Sequence, residues 1–194
     1  MLEKMPLAAQ TTVENPSVID TERLRLRMFR DSDLDNLAAL FADPDVMRYV
    51  GNGQPTDRIE AQMALTSVVA HWERHGFGRW AIEDKQTNEF LGYGGLRSLS
   101  GTPEVVYHLA KRHWGKGLAT ETARACLQFG FNKKGFDRIV AIAKPENAAS
   151  IHVMQKVGMH FEMQASYYGI EVVQYVIGRT EFNSLSQGAG VVNR

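Results

Sequence analysis

The residues from Tyr107 to Thr120, Tyr-His-Leu-Ala-Lys-Arg-His-Trp-Gly-Lys-Gly-Leu-Ala-Thr, constrain this chain more than any other stretch. A strand-like run passes into a loop with two glycines one residue apart, and the loop opens directly into a helix-forming segment. The first N–H groups of such a helix lack internal partners and carry the positive end of its dipole. Gly115 and Gly117 let the backbone turn those amides toward an anion, so that the loop forms a nest for phosphate oxygens. Lys111, Arg112 and Lys116 add positive charge around it. The plain alternative is a loop that needs glycine only to turn tightly.

Two common phosphate motifs do not fit. A Walker loop needs Gly where Ala110 stands and Ser or Thr where Gly117 stands. The dinucleotide fingerprint fails at its third glycine, which is Thr120 here, and no suitable strand–helix–strand opening precedes it.

The flanks predict one mixed fold. Glu22 to Phe29 alternates, with Leu24, Leu26 and Met28 on one side and Arg23, Arg25 and Arg27 on the other, as in a half-exposed strand. Helices follow: one capped by Asp31 or Ser32, a short one opening at Pro44, and a longer one from Thr56 to His75 that Gly76 ends. Strands are expected at 78–83, 90–96 and 104–109. After the glycine loop come a helix to about Asn132, a strand at 138–143, a helix from Asn147 to Val157, and strands at 159–163 and 172–177. This order predicts a mixed sheet with helices on its faces. At 194 residues the chain fits one domain, expected over 21–182, with an N-terminal extension at 1–20 and a C-terminal tail at 183–194.

Composition narrows the partners. Lys plus Arg equals Asp plus Glu at 22 each, without the basic excess expected of a nucleic-acid or acidic-membrane binder. The single cysteine, Cys126, excludes an intramolecular disulfide framework and reads as a small core residue. No apolar run approaches the roughly 20 residues of a membrane span, and Met1 to Asp20 has no signal-peptide core, so the expected compartment is the cytoplasm.

Three segments in sequence order carry a family resemblance. Trp114-Gly-Lys-Gly-Leu-Ala119 resembles the acetyl-CoA loop of the GNAT superfamily, with Trp114 where Gln or Arg is usual. Pro145 to Met159, with Asn147, Ser150 and Gly158, is similar to the Asn-x-x-Ser helix of the branch that includes the RimJ/RimL ribosomal-protein N-terminal acetyltransferases. Thr21 to Arg27 resembles that branch's opening strand. The resemblance implies an α/β fold of α+β type: a mixed, mostly antiparallel, twisted sheet of about six or seven strands with helices on both faces. It implies acetyl-CoA as co-substrate, with the backbone of Gly115, Lys116, Gly117, Leu118, Ala119 and Thr120 holding the pyrophosphate. Tyr107, His108 and Leu109 would pair with the pantetheine arm, as an exposed strand edge pairs with an amide chain, and Asn147 would reach the same arm. A homodimer is compatible with it.

Acetyl transfer to an amine also requires a proton acceptor for the amine and a donor for the leaving thiolate. Where some family members carry Glu and Tyr for these tasks, this chain has Ile142 and Met154. Glu104, at the start of the strand expected to meet the thioester, is the candidate base, against a solvated strand Glu or water. Ser150 is the candidate donor, against a helix-start hydrogen bond. The acceptor is expected between the 48–58 loop and the 165–171 hairpin, with Tyr167 and Tyr168 as substrate contacts; Trp80 or Tyr93 is a further candidate lining. His71 and His75 are spaced as zinc ligands can be, but no third ligand is evident, and no metal is expected. The resemblance favours the α-amine of a protein N-terminus as acceptor. A polyamine, amino acid or antibiotic amine, a CoA-binding sensor without turnover, and a nucleotide-binding module stay as alternatives.

Overall fold

In the computed structural model, which describes residues 18–188, the chain forms one eight-stranded sheet with helices on both faces. The strands are β1 (Val18–Asp20), β2 (Leu24–Arg27), β3 (Arg79–Asp84), β4 (Phe90–Leu99), β5 (Thr102–Leu109), β6 (Arg138–Ala143), β7 (His160–Tyr167) and β8 (Ile170–Gly178). The helices are α1 (Leu34–Ala42), α2 (Pro44–Met47), α3 (Arg58–His75), α4 (Leu118–Gln128), α5 (Ala148–Lys156) and α6 (Arg179–Gly188).

The sheet order is β1-β2-β3-β4-β5-β6-β8-β7, and every neighbouring pair is antiparallel except β5 and β6. The eighth strand exceeds the expected count because Val18–Asp20, in the segment read as an extension, pairs with Arg25–Arg27. At the other end, α6 runs past residue 182, and Phe182 is buried against Phe131, with ring centroids 5.0 Å apart. Residues 1–17 and 189–194 lie outside the described residues.

The two faces of the sheet are packed differently. One is covered by α4, α5 and α6 over a large apolar cluster that includes Trp80, Ile82, Leu96, Val105, Cys126, Ile139 and Ile177. Trp72 and Phe129 meet Trp80 edge-on, which makes Trp80 a packing group on this face; it does not line the acceptor side. The other face carries α1 and α3 over a smaller cluster of Leu37, Leu40, Val46, Ala61, Leu65 and Tyr93.

An ion pair fastens that second face. Arg27, expected on an exposed strand side, is buried, and its guanidinium is held by Asp33 at 2.7 Å and by Glu83. Alternation alone misplaces such an arginine, because paired charges can be buried where single ones cannot. Burial would raise the pKa of Asp33, but hydrogen bonds from Arg27 and from the Arg30 N–H hold it below its ordinary 3.8.

One irregularity positions the site. β5 and β6 share a single paired position, Glu104 opposite Val140, and then part. β5 stays paired with β4 through Leu109, so its other edge opens from Val105 onward.

Candidate active site

The gap between β5 and β6 forms part of a cleft of about 740 Å³ that passes through the molecule from the glycine loop to the β7–β8 hairpin. Both the loop and the α5 N-terminus border it.

The loop is shaped by two left-handed glycines, Gly115 (φ 74°) and Gly117 (φ 76°), where a side chain would strain the backbone. A Cβ added at Gly115 would meet nothing within 4 Å, and one at Gly117 only Arg23 Nη2 at 3.6 Å. The glycines therefore keep clear a space that a bound group can enter. Arg23 anchors the loop from β2's entry: its Nη1 donates to the Lys116 carbonyl at 2.9 Å, and its Nε to Glu121 at 2.7 Å. Because the peptide is trans and planar, the Gly117 N–H points away from Arg23. Trp114 closes the strand end, its indole N–H donating to the Leu109 carbonyl at 2.7 Å.

The expected collar of basic side chains is not assembled. Lys111 pairs with Asp45 and Arg112 with Glu89, and neither basic side chain lines the cleft. Lys116 contributes its backbone. The cationic side chains bordering the cleft beyond the sheet are Lys144 and Lys156, with His152 beside them. The residues present nevertheless fit the phosphate and amide parts of acetyl-CoA. They offer clear left-handed glycines, a helix N-terminus at Leu118, and an open strand edge at Val105–Leu109.

Asn147 caps α5 by accepting from the Ser150 N–H at 3.1 Å. The Ser150 hydroxyl is thereby left free of capping and lies 3.1 Å from the Tyr107 hydroxyl, which also donates to the Ser150 carbonyl. Burial pushes the Tyr107 phenol up to about 12, so it stays protonated. Met154 is buried beneath, and Ile142 packs beside Leu99, Val140 and Val176.

On the opposite face, three strands bring side chains together by register. Tyr93 lies opposite His108, and their rings stack at 4.7 Å; Arg97 lies opposite Glu104; Arg79 lies opposite Gly95, between them. Glu104 is only 1% exposed, and both its oxygens receive hydrogen bonds from Arg97, at 2.5 and 3.2 Å. Burial raises the Glu104 carboxyl above the ordinary carboxylate range, against the pull of Arg97 and Arg79. Burial, with the same two arginines, drives His108 down to about 3, so its ring is neutral, and its Nδ1 is buried without a hydrogen-bond partner.

Gly51 and Thr56 border the cleft from one side, and Tyr167, Tyr168 and Ile170 from the other. Tyr167 donates to Gln174 at 2.7 Å, while Tyr168 sits at the hairpin tip, φ 56° and 86% exposed. Of the residues singled out in the sequence for the donor, the acceptor or the chemistry, Lys111, Arg112, Lys116 and Trp80 are absent from the cleft lining, and the others border it. Arg79 and Arg97 were not legible there: each is an arginine on a strand, and only the register reveals that they meet. Among the described residues, no group of three His, Cys, Asp or Glu side chains is placed to hold a metal, and no helix is long and apolar enough to cross a membrane.

Comparison with known proteins agrees with this architecture. Residues 23–160 match the Acetyltransferase (GNAT) domain. The protein YkkB of Bacillus subtilis, described as uncharacterized, is 40% identical over 146 residues, covering 73% of this chain and 84% of its own. Spermidine N-acetyltransferase from Vibrio cholerae, solved with CoA and spermine, superposes with a TM-score of 0.70 at 20% identity, over 84% of this chain and 99% of its own. RimL, the ribosomal L7/L12 alpha-N-protein acetyltransferase solved with coenzyme A, does so at 0.70 and 19%, over 83% and 97%. A sheet that parts beside a glycine loop, matched by a domain profile over most of the chain, makes this protein a member of the GNAT acetyltransferase family.

Proposed function

We propose that this acetyltransferase moves the acetyl group of acetyl-CoA to the α-amine of a protein N-terminus, in the cytoplasm. The observation that carries the choice of acceptor is the charge of the cleft. Three carboxylates border it: Lys111 holds Asp45 and Arg97 holds Glu104, which leaves the exposed Glu60, accepting from the Asp57 N–H at 3.4 Å, as a single carboxylate without a cation beside it among the described residues. A polyamine needs free carboxylates for its second amine, whereas a peptide offers carbonyls and a single amine. Both kinds of acceptor occur among the superposable enzymes, so fold does not decide between them.

The donor supplies an acetyl thioester when bound. The amides of Gly115 to Thr120 would hold its pyrophosphate, and the open edge at Tyr107, His108 and Leu109, with the Asn147 side-chain amide, its pantetheine arm. On this reading Glu104 receives the amine's proton; its raised pKa makes it a better base than an ordinary carboxylate, and Arg97, with a side chain 39% exposed, has room to swing from it. Ser150, backed by the Tyr107 hydroxyl, faces the leaving sulfur as donor. Tyr167 and Tyr168 orient the acceptor chain.

A turnover screen of N-terminal peptides and small amines tests the acceptor. Peptides are expected to be the better substrates; turnover of small amines alone would overturn that assignment. In the same assay Glu104→Gln should lower kcat/KM by roughly 100-fold while CoA affinity holds. An unchanged rate would pass the proton to water.

A further inference from the structure

Arg79 is the charge in the cleft that the proposed chemistry leaves unused. It stands on β3, on the α1–α3 face of the sheet, with its guanidinium 5.9 Å from the centre of the Tyr93 ring. Among the described residues it forms no ion pair, although it borders the cleft and is half-buried. Burial lowers its pKa, against the pull of Tyr93 and Glu104, as expected of a charge held partly out of solvent. Of the carboxylates bordering the cleft, Asp45 and Glu104 are paired with Lys111 and Arg97, the exposed Glu60 forms no ion pair with Arg79, and the neighbouring His108 is neutral. Glu104 and the Tyr93 side chain compensate this charge only from a distance and by sharing, and a desolvated cation with no ion-pair partner of its own is a group that a ligand can complete.

We infer that Arg79 receives an anionic group of the acceptor, a carboxylate held a few bonds from the amine that reacts. The register sets that separation. Arg79 lies opposite Gly95 and Gly95 opposite Val106, so two strand spacings, about 10 Å, separate Arg79 from the open edge of β5. Arginine suits the task because its planar fork matches a carboxylate with two parallel hydrogen bonds. Tyr93 supports the guanidinium through its ring, and the Arg97–Glu104 pair beside it is already neutralised. This inference rests on the amine-acceptor reading above. If the acceptor is a protein N-terminus, the carboxylate is an Asp or Glu side chain in the first two positions.

The experiment uses matched acceptor pairs that differ only in that carboxylate. One arm compares N-terminal peptides with Glu or Gln at the second position; the other compares amino acids with their amides. Wild-type protein should prefer the carboxylate member by at least tenfold in kcat/KM, in whichever arm is turned over. Arg79→Gln should abolish that preference, read as the ratio of the two members within the same variant, while CoA affinity holds. Arg79→Lys should restore part of it, and Lys144→Gln, at the cleft rim, should leave it intact. A preference confined to the amino acids would overturn the N-terminal reading and keep the role of Arg79. Equal use of both members, a preference that survives Arg79→Gln, or no turnover of any carboxylate-bearing amine would overturn the inference itself.

Discussion

The two ends of the cleft are made from different materials. At the end proposed for the donor the surface is backbone: two left-handed glycines, a helix start, and one unpaired strand edge, contained in fewer than twenty consecutive residues with α5 alongside. At the end proposed for the acceptor it is side chain: Arg79, Tyr93, Arg97, Glu104 and His108 come from three strands and meet only through register. A contiguous backbone device is rigid and general, whereas a floor of side chains can be altered one residue at a time without disturbing the sheet. Loops and side chains carried on a fixed scaffold are where specificity is expected to vary.

That contrast breaks most visibly in stability. The acceptor face is fastened by the buried Arg27–Asp33–Glu83 cluster, the donor face by apolar packing. Asp33→Asn, which leaves Arg27 paired with Glu83 but removes the charge-assisted bonds to Asp33, should cost about 3 kcal/mol of unfolding free energy in denaturant titration. The lowered pKa of Asp33 gives the pH sense. Its contribution is complete above the ordinary carboxylate range and is lost as pH falls below about 4 through the lower folded value. The Asp33→Asn protein should therefore lose less stability than wild type on acidification, and an identical acid profile for the two would remove the cluster from this role.

Next in size is the donor loop. Gly117→Val places a β-branched side chain at φ 76° in the space kept clear above the loop. Strain and obstruction together should weaken CoA binding by about 100-fold in calorimetry, since left-handed backbone alone costs on the order of 1–3 kcal/mol. Acceptor-side substitutions should leave that affinity within twofold. If Gly117→Val instead alters acceptor preference with CoA affinity intact, the two ends are not separable as described.

The smallest effect falls on the boundary between them. Tyr107→Phe removes one hydroxyl from the pair with Ser150 and keeps the strand backbone. A single hydrogen bond of about 1 kcal/mol corresponds to roughly a fivefold loss in kcat, with CoA affinity unchanged. Adding Ser150→Ala should then cost less than in the wild-type background, because the hydroxyls act as a unit; full additivity would show that they work independently.

The sequence was informative in proportion to how local each feature is. Gly76 ends α3 at φ 65°, Asp43 caps α2, and β6 occupies 138–143, all as the residues predict. β1 was not legible because three residues, two adjacent apolar ones and an aspartate, make no alternating pattern until β2 supplies the pairing. The Asp45 and Glu89 partners of Lys111 and Arg112 lie 66 and 23 residues away, so the expected basic collar could not be checked against its competitors. Glu104 was visible as a strand carboxylate, but its burial against Arg97 depends on β4 doubling back through the turn at Ser100 and Gly101.

The single rung between Glu104 and Val140 has a mechanical meaning. It joins a five-strand half-sheet to a three-strand half-sheet, and beyond it cohesion comes from side-chain packing, by the helices and by clusters such as Leu99 with Val140 and Val176. A donor molecule laid along the opening touches both halves, so its affinity for the enzyme is at once a cross-link within the fold. Donor present at a hundred times its dissociation constant would add about 2.7 kcal/mol to the stability of the folded state. If the donor lies along the seam as proposed, the place where the sheet is least continuous is where occupancy adds to cohesion, by an amount that the donor's concentration sets.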